Sequence, residues 1–428
     1  MNGSGHCVLW LVRGACGIGA WAILSGSAEA QRAAESVRRV DRLENAPASV
    51  RREIAHALPR VGDLEESPEG ISDDPLPTIM LTGYWPPSNE GVRKFSANPD
   101  LNPTWEGANW EGRGYDVYSY FPDFDPDDCS SCGKGDGDLE VDYQDTSADF
   151  WPLADAIAPF GIITFSRGFP DLNWEVEMNQ FNRTIWVGDY LRPFQPTPRP
   201  PDDSVDPGAL RLSMLPVQEI VDAVNDADLG IDAFICYSGD GGGFLSEFIA
   251  YHGVWYQDLH RSPTDPAWCA AGGHIHVGGN IDWDTTELAV EVSLRALIEH
   301  LDAIKAETVC QPDLGYGGPG SVTIEACGDE LVAGGVADLL LSGAPADAPA
   351  YLFAGFTNQP TPFAGGTILP YPANYFVPYV ADFNGQLFFE EFPGGGGPLT
   401  LFTQFVVADP LQADGYAISN TLAIEFLQ

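Results

Sequence analysis

Lysine is nearly missing from this chain: only Lys94, Lys134 and Lys305 occur in 428 residues, and all basic residues together number 20 against 62 acidic ones. A formal net charge of −42 repels phosphate backbones and anionic lipid surfaces, which excludes nucleic acid and a charged membrane face as partners. The acidity reads as the solvated surface of an exported protein rather than as a ligand-specific feature. Long apolar runs are scarce too. After residue 30 no segment reaches the roughly 20 apolar residues that a membrane-spanning helix requires, so no span is expected. Histidine is limited to seven positions, which keeps the search for a general base short.

The first thirty residues run from a polar start through an apolar stretch, broken by Gly14, Gly17 and Gly19, to the small-residue close Ala28-Glu29-Ala30. This is the pattern of a secretory signal cleaved near Ala30 (1–30), and it implies a secreted or cell-envelope location. Residues 31–76 are charged and poor in large apolar side chains, as in a leader or linker. Beyond the signal six cysteines remain, an even number suited to an oxidising compartment. Their spacing suggests the pairs Cys129–Cys132 and Cys310–Cys327, with Cys236 and Cys269 either joined or buried as thiols.

From residue 77 to 306 short apolar runs alternate with longer helical patterns, the signature of a mostly parallel sheet covered by helices. TIMLTGY (78–84), YDVYSYF (115–121), FGIITFS (160–166), GIDAFICYS (230–238) and GHIHVG (273–278) read as strands. DFWPLADAIA (149–158), PVQEIVDAVNDA (216–227), FLSEFIAYHGVWYQDL (244–259) and DTTELAVEVSLRALIEHLDAIKA (284–306) carry the three- and four-residue spacing of amphipathic helices. Over 307–428 charges thin out, and short apolar runs separated by glycine-rich turns predict a β-sandwich. No catalytic constellation is visible there. Attachment to a surface or polymer and plain stabilisation both remain open for this second domain.

The stretch GDGGGFLSEF (239–248) places Gly241, Gly242 and Gly243 before a helix, with Ser246 in its first turn. A helix N-terminus offers unpaired N–H groups and partial positive charge, which suit an attacking oxygen and the oxyanion it generates. Serine is also an ordinary helix-capping residue, so the stretch alone does not decide. Among the histidines, His6 and His56 lie in the signal and leader, His252 and His260 share the helix of Ser246, and His300 is late in the last helix. His274 and His276 remain, two apart on a strand and therefore on one face. Such a pair can hold zinc, but a third ligand at recognisable spacing is missing, so neither metal nor other cofactor is expected.

SGDGGGFLSEF followed about thirty residues later by GGHIHVG resembles the pyroglutamyl peptidase I family, whose patterns read S-x-x-A-G-x-Y-L-C-N-Y and G-F-I-H-V-P. A gap-free match from Ser238 puts Ser246 in the place of the nucleophilic cysteine and His276 in that of the base. MLTGYWPPSNE (80–90) is similar to the family's opening L-L-T-G-F-x-P-F, and EMNQFN (177–182) to its E-R-x-A-x-N, which makes Glu177 the third catalytic residue. RLSMLPVQEIVDAV (211–224) matches the segment before the nucleophile, so the resemblance spans about 230 residues in family order.

The resemblance implies a three-layer α/β/α sandwich of the phosphorylase/hydrolase-like kind and cleavage of an N-terminal pyroglutamyl or related amide, with a peptide or small amide as partner. It places Tyr84, with Trp85 beside it, where an aromatic side chain packs on the pyroglutamyl ring. Asn182, Ser166 at the strand end, and Arg183 as the nearest downstream basic residue are the other substrate-binding candidates. Four positions depart from the pattern: Ser246 for cysteine, Glu247 for asparagine, Pro87 for an aromatic and Gly278 for proline. A hydroxyl, unlike a thiol, must lose its proton to the base during attack, so Ser246, His276 and Glu177 need good alignment. A Glu247 facing the site adds negative charge where an oxyanion forms.

Two other functions compete. One is a non-catalytic peptide- or cell-wall-binding protein on the same fold, favoured by the changes at Ser246 and Glu247. The other is a serine esterase with Ser166 of ITFSRG (163–168) on a nucleophile elbow, although Thr164 occupies the first glycine's place. The acidic insertion 123–145 opens like a calcium loop, but Asp128 stands at its sixth position and Lys134 at its twelfth, so a solvated loop is expected.

Overall fold

The computed structural model describes residues 75–125, 133–239 and 242–428. The expected signal, the leader up to residue 74, the Cys129–Cys132 pair and Gly241 lie outside the described residues. The chain divides into two compact units. One holds the described residues up to His260 with Cys269–Leu301; the other holds Arg261–Trp268 and Asp302–Gln428.

In the first unit, β1 (Thr78–Thr82), β2 (Asp116–Tyr120), β3 (Gly161–Arg167), β4 (Asn173–Glu177), β5 (Asp232–Cys236) and β6 (Ala271–Val277) form one sheet in the order β2-β1-β3-β6-β4-β5. The first four in that order are parallel; β4 runs antiparallel to β6, and β5 is parallel to β4. β3 and β6 are buried along almost their whole length, which is why their sequences are apolar or glycine-rich instead of alternating.

Helices α1 (Ser88–Val92), α2 (Tyr143–Ile157), α3 (Val217–Asp226), α4 (Leu245–Leu259) and α5 (Trp283–Glu307) complete the unit. Asp142 caps α2, its Oδ1 accepting the backbone N–H groups of Gln144 at 2.9 Å and Asp145 at 3.3 Å. Helix α4 packs on the face of β6 that carries Gly272: a Cβ there would stand 2.9 Å from the Gly253 carbonyl, so the close approach requires glycine. On the other face, Trp174 of β4 donates to Ser293 Oγ of α5 at 3.2 Å, and Leu297 and Leu301 cover Gly161. The sheet is therefore the middle of three layers, an α/β/α sandwich. Among the described residues no helix is long and apolar enough to cross a membrane.

The second unit is a β-sandwich. A four-stranded antiparallel sheet (Val309–Cys310, Thr323–Gly328, Val336–Ser342, Leu387–Pro393) lies against a five-stranded one built on Pro349–Gly355 and Leu399–Ala408. Ile324, Leu339 and Leu341 of the first meet Ala350, Phe405, Val407 and Ile424 of the second in one buried core. Cys310 and Cys327 are joined by a disulfide across neighbouring strands. Cys236 and Cys269, in the first unit, are buried thiols.

Candidate active site

The centre is laid out by strand register. His274 and His276 are alternate residues of β6, opposite Thr164 and Ser166 on β3 and opposite Glu177 and Glu175 on β4. All six side chains thus share the face on which α4 packs. His276 Nδ1 lies 2.8 Å from Glu177 Oε1, and the other Glu177 oxygen accepts Gln180 Nε2–H at 2.7 Å. His276 is 5% exposed and Glu177 1%. Burial alone would push the Glu177 carboxyl up and the His276 imidazole down, but their mutual attraction and hydrogen bond outweigh it. Glu177 falls to about 2, and His276 rises above the usual imidazole value. With Nδ1 held by the carboxylate, Nε2 makes no hydrogen bond among the described residues and is the nitrogen that can exchange a proton.

His274 has the opposite character. Its Nδ1 is 2.8 Å from Thr164 Oγ1 and its Nε2 2.9 Å from Ser166 Oγ. Thr164 donates its own proton to the Gly273 carbonyl at 3.1 Å, so it accepts from Nδ1–H, and Nε2 accepts the Ser166 proton. Burial, reinforced by the neighbouring His276, pulls His274 down to about 3. It is a neutral, structural histidine.

This corrects the esterase alternative. Ser166 is fully buried inside β3, its proton is committed to His274, and Arg167 leads into a bend instead of a helix. The strand–turn–helix setting of a nucleophile elbow is absent around it. Nor does Ser166 line an open rim, and the same holds for two other substrate-binding candidates. Tyr84 is fully buried with its hydroxyl on Thr146 Oγ1 of α2. Asn182 is fully buried and closes a loop, donating to the Asp202 carbonyl at 2.6 Å and accepting the Asp202 N–H at 3.3 Å.

Ser246 is the second residue of α4 and 6% exposed, and its hydroxyl makes no hydrogen bond among the described residues. Phe244, which precedes the helix, supplies no side-chain cap, and the first N–H groups of any helix have no partner within the helix itself. Gly242 and Gly243 take φ of 96° and 68°, the left-handed region that favours glycine. The Gly243 N–H is engaged by the Glu247 carboxylate. Glu247 does not stand as a lone charge: Arg183 Nε lies 2.7 Å from its Oε1. Glu247 also contributes to the rise of His276, which puts the start of α4 within electrostatic reach of the imidazole.

Aromatic side chains surround that helix start. Trp85, 9% exposed, stacks on Phe244 with centroids 5.9 Å apart and rings at 18°, and its Nε1–H donates to the Gly133 carbonyl at 3.1 Å. Tyr143 meets Phe244 edge-on at 6.3 Å and Trp186 at 5.7 Å. Gln180, Phe244, Tyr143 and Trp186 escape sequence reasoning. Gln180 stands three residues after Glu177 and Phe244 two before Ser246, which are the local signals that point to them.

No protein-family model matches the chain, and no curated protein matches it. Pyroglutamyl peptidases are among the solved structures it is similar to. Pyroglutamyl peptidase I from Bacillus amyloliquefaciens is 17% identical, with a TM-score of 0.38, over 53% of this chain and 97% of that one. The pyrrolidone carboxyl peptidase from Thermococcus litoralis is 15% identical, with a TM-score of 0.39, over 53% of this chain and 96% of its own. A variant of the Pyrococcus furiosus enzyme is 15% identical, with a TM-score of 0.37, over 52% of this chain and 99% of its own. Likeness at this level assigns no function; the chemistry is read from the side chains.

Three features are ones that acyl transfer uses: an imidazole oriented by a buried carboxylate, a serine hydroxyl in the first turn of a helix, and the partial positive charge of a helix N-terminus.

Proposed function

We propose that the α/β unit is a serine-dependent amide hydrolase acting on an N-terminal pyroglutamyl or related amide. The observation that carries this reading is the 2.8 Å contact between His276 Nδ1 and Glu177 Oε1, which leaves the imidazole oriented and its Nε2 available. Neutral His276 takes the Ser246 proton as Oγ bonds to the carbonyl carbon, and the first-turn N–H groups of α4 hold the oxyanion. His276 then returns the proton to the amine as the C–N bond breaks. Water, activated in the same way, hydrolyses the Ser246 ester and regenerates the site. Glu177 keeps the imidazole in position and stabilises its charged form. Export by the segment 1–30, and attachment through the β-sandwich, complete the proposal.

The preference for an amide of a small cyclic residue rests on the motif resemblance and on the aromatic side chains of Trp85, Phe244 and Tyr143 clustered beside the start of α4. A second reading, a binder that performs no chemistry, is favoured by one observation: the Ser246 hydroxyl makes no hydrogen bond to His276. Residues 31–428 incubated with a fluorogenic pyroglutamyl amide, and with a panel of other amides and esters, separate the two. Turnover that disappears in Ser246→Ala supports the hydrolase. Turnover only in Ser246→Cys shows a surviving pocket without a working serine, and silence in all three forms favours the binder.

A further inference from the structure

The residue that breaks the family pattern beside the nucleophile, Glu247, is the best-anchored side chain in the first turn of α4. It is 3% exposed, and its contacts include Arg183 Nε at 2.7 Å from Oε1 and the Gly243 N–H, which Oε2 accepts. Arg183 in turn donates from Nη2 to the Gly239 carbonyl and lies over the Phe181 ring at 5.9 Å. Gly239 is therefore tied to the cation of one ion pair and Gly243 to its anion. Gly239 itself sits at φ 57° with the Phe181 ring 2.6 Å from where a Cβ would be, so it lies close against the short strand Asn179–Phe181. That strand continues directly from β4, whose last residue is Glu177.

We infer that Arg183 and Glu247 are a positioning pair, coupling the helix start that carries Ser246 to the strand segment that carries Glu177. The inference rests on the serine-hydrolase reading. It also accounts for an acidic side chain next to an oxyanion site: Arg183 at contact distance offsets part of the Glu247 charge, and what remains favours the protonated His276 that forms during attack. The two residues are 64 positions apart, Glu247 minus Arg183, so neither signals the other along the chain.

Three variants test the pair: Glu247→Gln, Arg183→Met and the conservative Arg183→Lys, with thermal unfolding as the control for folding. On the preferred panel substrate, Arg183→Met is expected to lose about 100-fold in kcat with KM within about threefold, as a small misplacement of the nucleophile does, and Arg183→Lys to recover most of it. Glu247→Gln is expected to shift the His276 titration, followed by histidine NMR, to lower pH and to speed hydrogen exchange of the Gly243 amide. Wild-type kcat, His276 midpoint and Gly243 exchange in both Arg183→Met and Glu247→Gln would overturn the inference. A wild-type chain that neither turns over the panel nor reacts with a fluorophosphonate defeats the hydrolase reading instead, and the NMR and exchange measurements still decide the pair.

Discussion

Glu177 stands directly across from His274 in the register of β4 on β6, yet it bonds His276, the diagonal neighbour. The reason is chemical. Both nitrogens of His274 are already held by Thr164 and Ser166 of β3, so the carboxylate turns to the imidazole that still has a nitrogen to offer. Diagonal pairs on one sheet face lie within reach of long side chains. One His-x-His pair is thereby divided into a neutral histidine that braces the sheet and a histidine paired with a carboxylate, the base of the proposed mechanism.

The division has a direct spectroscopic consequence. His274, lowered to about 3, is expected to show flat imidazole shifts from pH 4 to pH 9, whereas His276 titrates above the ordinary value of about 6.5. Two titrating histidines in this pair, or none, would contradict the assignment of roles.

The same pair sets a pH–rate limb and a stability window. In the proposed mechanism catalysis needs neutral His276, so kcat/KM should rise with pH through an apparent value above 6.5, and Glu177→Gln should move that limb to lower pH while reducing kcat by about 10³–10⁴. For stability, the raised His276 contributes fully below about 6.5 and loses its contribution as pH rises through its folded value. The lowered Glu177 contributes above about 4.3 and loses it as pH falls toward about 2. The stability advantage of wild type over Glu177→Gln, measured by thermal unfolding, should therefore be largest between about pH 4.3 and 6.5 and shrink on either side. An advantage that grew from pH 7 to pH 9 would oppose the pairing.

Much of this architecture is legible along the chain because the strands β1, β2, β3, β5 and β6 are apolar runs with turn residues at their ends, and helix α4 carries its glycine punctuation. Strand β4 is the exception. NWEVE places two carboxylates and a tryptophan in five residues, so it lacks an apolar signature, and Glu177 is visible only through motif spacing. The buried states of Tyr84, Ser166 and Asn182 are equally hidden, because each depends on a partner far along the chain: Thr146, His274 and Asp202. Polar residues near a motif read as ligand-facing, while their partners lie on elements whose proximity only the fold creates.

Ser166 offers a test that separates scaffold from nucleophile. Ser166→Ala should keep hydrolase activity and fluorophosphonate labelling at Ser246, yet destabilise the unit by about 1–3 kcal/mol, since it leaves a buried His274 Nε2 without its donor. Loss of labelling in Ser166→Ala, with the fold intact by circular dichroism, would return the esterase reading.

In the second unit, the Cys310–Cys327 disulfide closes a short loop, the two residues being separated by 17 positions. Loops of about 15 residues correspond to roughly 3 kcal/mol of unfolded-state constraint. The double variant Cys310→Ser/Cys327→Ser should therefore lower the unfolding midpoint of the β-sandwich while leaving the His276 titration unchanged. Equal losses in both units would mean that they unfold as one.

Arg211 is the last element that the site depends on. It is 8% exposed, contacts Asp202 Oδ2 at 2.8 Å and Asp258, and donates from Nε to the Tyr251 hydroxyl at 3.1 Å. Tyr251 and Asp258 belong to α4, the helix of Ser246, whereas fully buried Asp202 belongs to the segment that Asn182 closes. The guanidinium thus fastens that segment to α4. Arg211→Met removes the cation and strands the Asp202 carboxylate in the interior, which typically costs about 3–5 kcal/mol. The expected outcome is a lower unfolding temperature and faster proteolysis between residues 183 and 209, with α4 less firmly placed and kcat reduced. Arg211→Met/Asp202→Leu, which removes both charges, should recover most of the stability, because an apolar pair has no desolvated charge to compensate. A double variant as unstable as the single one would show that packing, not the charge pair, holds the segment.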